Sequence, residues 1–160
     1  MAMSHQLGSI PVTTATVGTS AHLGRRLMGA GGAAGAVTVL LVAAFLTPSS
    51  AGVGTHEQLM LPPCQWISVM YLPCPTCGMT TSFAHAADGR FVSSFLTQPM
   101  GCLLALVTAM GVFIGTYVAA TGSPLVGMLG RYFGPRLGWI AAGLFVAAWI
   151  YKILSHKGLL

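Results

Sequence analysis

Acidic side chains are nearly missing: Glu57 and Asp88 are the only carboxylates among 160 residues. Acid–base chemistry by a carboxylate pair would therefore consume the whole supply. Charge of either sign is scarce, at 6% of residues against about 25% in an ordinary globular chain. With 54% hydrophobic residues, a water-soluble domain could not cover its surface, so the composition points to an integral membrane protein. No glycine-rich phosphate loop or serine-nucleophile motif is present, and His56-Glu57 lacks the second histidine of a zincin. No βαβ pattern surrounds the cysteines, which excludes a thioredoxin domain. The long apolar runs hold no ionisable residue near their centres, which argues against an ion or proton pathway. Seven Lys/Arg set the net charge at +5, but they stand singly or in pairs at the ends of apolar runs. That placement orients membrane helices and does not suit nucleic acid.

What is there reads as an all-helical membrane protein in one piece. Residues 1–24, rich in Ser, Thr, Gly and Ala, are expected to form a disordered N-terminal tail. A single transmembrane domain is expected over 25–160. Arg25-Arg26 precede an uncharged run over 27–46, whose roughly 20 residues suffice to cross the hydrocarbon core. The rival reading makes Arg25 to Ala51 a cleaved secretory signal, with Ser49 and Ala51 before the cut, although its apolar run is long for that purpose. Further spans are expected over 100–120 and 137–154, the last flanked by Arg136 and Lys157, with Lys152 snorkelling near its end. Trp66, Tyr71, Trp139, Trp149 and Tyr151 suit the interface, where amphipathic rings sit at headgroup depth. Small residues four apart (Gly31 and Gly35, Gly111 and Gly115, Gly138 and Ala142) are candidates for close helix packing. With the N-terminus cytoplasmic, Arg25, Arg26, Arg131 and Arg136 fall inside, and the segment between the first two spans faces outward.

That segment, over 62–90, carries the chemistry. Cys64, Cys74 and Cys77 lie between the first two spans and Cys102 opens the second, so connectivity places all four near one membrane face. Pro75 to Ala87 reads as a short interfacial or re-entrant helix with Cys74 as cap, Pro75 at its first position and Asp88-Gly89 as stop. A thiol at a helix start is stabilised as thiolate by unpaired amides and the macrodipole. Three readings follow. Cys74 and Cys77 can be structural, packed or disulfide-linked. They can hold zinc, with Cys64, Cys102, His56 or His85 completing four ligands; His85 would need the helix end to fold back. They can exchange disulfides, Cys74 attacking and Cys77 resolving, with Cys64 and Cys102 as a second pair. Nine methionines are spread through apolar segments as fillers and do not mark copper.

Pro62-Pro63-Cys64, Pro73-Cys74-Pro75-Thr76-Cys77-Gly78-Met79-Thr80, Asp88-Gly89-Arg90 and Gln98-Pro99 together resemble a bacterial family of small multi-pass membrane proteins of unknown function, marked by a Cys-Pro-x-Cys-Gly-x-Thr signature. The resemblance covers roughly residues 56–120 and implies two or three helices, with the signature opening a short helix before a span. Many members carry arginine after the signature threonine, where this chain has Thr81. The resemblance implies a bacterial plasma-membrane location and no activity. The expected function is a structural or metal-binding thiol site, with Cys64, Cys74, Cys77, Cys102 and His85 as metal ligands. The alternatives are a membrane thiol–disulfide oxidoreductase and a non-catalytic subunit packing against other membrane proteins. The lipid bilayer is the expected surrounding.

Overall fold

The computed structural model describes residues 14–158, and every regular element in that range is helical. Helix α1 spans Thr14–Phe45, α2 Gln65–Met70, α3 Met79–Ala87, α4 Phe91–Thr97, α5 Pro99–Thr121 and α6 Leu125–His156, with a 3-10 turn at Thr55–Leu59. Ser20–Phe45, Pro99–Thr121 and Arg136–His156 are each long and apolar enough to cross a membrane. Three spans were expected from three long apolar runs. The expected tail over 1–24 is helical from Thr14 onward, in a stretch that holds no proline between Pro11 and Pro48. The part of that expectation over 1–13 lies outside the described residues.

α1 and α5 form an antiparallel pair at backbone contact. A Cβ on Gly29 would lie 2.8 Å from Gly115 O, and one on Gly115 would lie 3.0 Å from the backbone nitrogen of Ala33. Small residues permit this approach, which dispersion and dipole contacts stabilise where lipid removes the hydrophobic drive. The expected pairs are in the wrong register: Gly31, Gly35, Gly111 and Gly138 face open space, and only Gly115 packs. Arg26 Nε donates to Ala119 O at 2.8 Å, tying the same two helices one turn from that contact. α6 is interrupted at Gly134 (φ 39°, ψ −157°), a conformation glycine supplies, before Pro135 and the start of the third span.

Because α1 and α5 run antiparallel, the intervening residues 46–98 gather at one end, where α6 also finishes. The interior of that end is polar. The largest fully buried side chains are Gln98, Thr55, Thr81, Pro73, Ser82 and Ser94. Thr55 Oγ1 lies 2.8 Å from Thr81 Oγ1. Ser82 Oγ donates to Ser94 O at 2.9 Å, and Ser94 Oγ donates to Ser82 O at 2.7 Å, clamping α3 to α4. Buried hydroxyls of this kind are tolerated because each is paired, and together they hold one arrangement.

Candidate metal centre

The Cys-Pro-Thr-Cys-Gly segment is a pair of turns leading into a helix. Cys77 N donates to Cys74 O at 3.0 Å and Met79 N to Thr76 O at 3.1 Å, so α3 begins at Met79. The expected helical start at Pro75 is thereby corrected. Gly78 caps α3 at φ 84°, and that left-handed residue separates the turns from the helix. Asp88 and Gly89 end it, as their residue types suggest.

Three thiols converge here. Cys74 Sγ lies 3.3 Å from Cys77 Sγ, and Cys77 Sγ lies 3.3 Å from Cys64 Sγ. All three sulfurs are within 4.8 Å of one another, and all three are free cysteines. Cys64 arrives from a different segment, at the N-cap of α2. Burial raises its pKa, but the Ile67 amide, the Cys77 and Cys74 thiols and the Trp66 amide outweigh it and hold the group at about 7. The thiolate-stabilising helix start expected for Cys74 is thus found at Cys64. Burial, followed by the neighbouring Cys74 and Cys64 thiols, pushes Cys77 up to about 12. The cluster opens on a cleft of about 600 Å³ whose walls include Ser49, His56, Glu57 and Thr81. His56 Nε2 bonds Pro62 O at 3.2 Å, which leaves Nδ1 as its lone-pair nitrogen.

Two expected ligands stand elsewhere. Cys102 is buried in the first turn of α5, and its thiol points to Phe91 O at 3.9 Å, on the α4 side. It is not among the clustered sulfurs, so the second pair expected of Cys64 and Cys102 does not form. His85 lies on α3 beside Arg90 and Asp88; burial, then the Arg90 charge, lowers its pKa against a smaller opposing effect of Asp88. It too is outside the cluster, because α3 stays straight and its end does not fold back.

Residues that sequence reasoning passed over hold the thiol segment in place. Gln98, fully buried, donates from Nε2 to Pro75 O at 3.2 Å. Trp149 Nε1 donates to Pro73 O at 3.1 Å and packs edge-on against Trp66, with ring centroids 6.4 Å apart. Tyr151 OH donates to Leu96 O at 3.1 Å. Lys152, expected to snorkel outward, turns inward and is only 7% exposed. Its Nζ donates to Gly52 O at 3.1 Å and Thr97 O at 3.0 Å. The available signal was a run of hydrogen-bonding side chains, Trp149, Tyr151 and Lys152, closing the last apolar helix. Thr81 is fully buried against Thr55, on the inner wall of the thiol cleft.

Residues 64–112, the thiol segment and the first half of α5, match the family described as "Protein of unknown function (DUF2752)". No curated protein and no solved structure matches the chain. The site is therefore similar to that of an uncharacterised family.

Proposed function

We propose that this chain is a small integral membrane protein whose Cys64, Cys74 and Cys77 form a metal-binding thiol site, with zinc as its ion. The observation that carries the reading is the convergence of three sulfurs from two separate segments to within 4.8 Å. Zinc–thiolate bonds of about 2.3 Å place tetrahedral sulfurs about 3.8 Å apart, so a small outward shift of these thiols admits the ion. Cys77 keeps its proton because it is buried, and a cation among the sulfurs removes that cost by replacing it. A fourth position faces the cleft that His56 and Glu57 line, open to water or a polar ligand. In this reading the chain sits in a bacterial plasma membrane with its N-terminus cytoplasmic, so that the site faces outward.

Metal content and thiol state together test this. Protein purified without reductant is expected to carry about one zinc per chain, and Cys77→Ser to carry none. A wild type with no more metal than Cys77→Ser refutes the reading. The contact of Cys77 with both neighbouring sulfurs supports a second reading, thiol–disulfide exchange, in which Cys77 pairs with either. A Cys74–Cys77 or Cys64–Cys77 disulfide that reduces and reforms near the compartment's potential, without bound metal, favours that reading.

A further inference from the structure

Lys152 is a buried cation that no carboxylate matches among the described residues. Its two acceptors, Gly52 O and Thr97 O, are dipoles that solvate an ammonium and leave its charge uncancelled. The chain has two acidic side chains. Asp88 is paired with Arg90 at 2.6 Å, while Glu57 stands on the wall of the thiol cleft, which Lys152 does not line. Among the described residues, no carboxylate lies within ion-pair distance of Lys152. An ionised group within a membrane span is costly unless a partner compensates it.

The position of the ammonium identifies that partner. A side chain added at Gly78 would begin 2.9 Å from Lys152 Nζ and 2.6 Å from Gly52 O, so the ammonium lies directly behind the Cys77-Gly78 step. Cys77 is within its electrostatic reach. Among the described residues, the group placed to face Lys152 with negative charge is the thiol cluster.

We infer that Lys152 is the charge partner of the metal-loaded site, and that this site is built for a divalent thiophilic cation. The inference rests on the metal reading above. Three thiolates around M²⁺ form M(SR)₃⁻, whose single negative charge one ammonium balances. A trivalent thiophile gives a neutral tris-thiolate, which needs no counter-charge. Lys152 is a positioning residue in this account and touches no metal.

The test uses the full chain in nanodiscs, stripped of metal under reductant, with Zn²⁺ and arsenite as probes. Arsenite forms As(SR)₃ with loss of three waters and reports whether the three thiols still converge. Lys152→Met is expected to weaken Zn²⁺ about 10- to 100-fold, as loss of a supporting group around metal ligands does, while arsenite binds as in wild type. Lys152→Arg, which keeps the charge, is expected to recover most of the Zn²⁺ affinity. Equal loss of both probes assigns Lys152 a purely structural role, and retention of both makes it irrelevant; either result overturns the inference. A wild type that binds arsenite and no Zn²⁺ refutes the metal reading itself, and the inference falls with it. A variant-free arm follows the Lys152 ammonium resonance in ¹⁵N-lysine-labelled wild type. Zn²⁺ is expected to shift and protect that resonance while arsenite leaves it unchanged, and an identical response to both contradicts the assignment.

Discussion

Chemically similar cysteines diverge here because their surroundings do. Cys64 lies beside the amides that open α2 and is held at about 7, whereas buried Cys77 is pushed up to about 12. The thiolate is the reactive form, so metal-free protein at pH 7.5 is expected to alkylate first at Cys64 and last at Cys77. The Cys64 rate should rise about tenfold per pH unit below 7 and level off above it, as mass spectrometry of timed iodoacetamide reactions can follow. Simultaneous modification of both thiols would contradict the assigned environments. Gly78 is equally constrained. At φ 84°, and with a side chain beginning 2.6 Å from Gly52 O, Gly78→Ala is expected to lower stability by more than about 1 kcal/mol, read as a lower midpoint of thermal unfolding in detergent. It should also push Lys152 away from the cluster. Pairing of thiols was legible from the Cys-x₂-Cys spacing, but the third sulfur was not. Cys64 is 13 residues from Cys77 and Cys102 is 25, and nothing in those separations says which folds back.

Among the elements, the α1–α5 seam is the principal contact between spans. Its register is set by Gly29, Ala33 and Gly115, where backbones meet. Gly115→Leu is expected to cost about 1–3 kcal/mol or more by overpacking, read as a loss of folded protein on size-exclusion chromatography. Gly31→Leu, facing open space, should stay within about 0.5 kcal/mol of wild type. The reverse order would mean a different register. Small-residue spacing revealed that the helices could approach closely. It could not reveal the faces involved, because a chain with 21 glycines offers many equivalent pairs. The existence and approximate ends of the three spans were legible for a simpler reason: crossing lipid requires an uncharged run of fixed length. Residues near helix ends were harder. Lys152 reads as a snorkelling lysine from its position, and only the fold places carbonyls inward to receive it. The same helix end carries Trp149, whose hydrogen bond fixes Pro73 just ahead of Cys74. Trp149→Phe keeps an aromatic ring, a smaller one, and removes the bond. It is expected to cost about 0.5–1.5 kcal/mol and to weaken Zn²⁺ binding, measurable by chelator competition.

At the scale of the whole molecule, the three spans act as a frame that brings residues 46–98 to one membrane face. The third span closes that frame with three side-chain anchors, at Pro73 O, Leu96 O, and Gly52 O with Thr97 O. The polar interior under the thiols makes the site rigid in a chain that otherwise shows apolar surface to lipid. If the N-terminus is cytoplasmic, as proposed, a membrane-impermeant maleimide should label Cys64 in intact cells, and labelling that needs permeabilisation would invert the topology. Acidification through about pH 7 should weaken metal binding, because Cys64 must lose its proton to act as a ligand. The most direct test of the central claim is zinc K-edge X-ray absorption on the purified, zinc-loaded chain. Three sulfurs at about 2.3 Å with one lighter atom, and no bound zinc in Cys77→Ser, is the expected result. A zinc shell of nitrogen and oxygen alone, unchanged by Cys77→Ser, would contradict it.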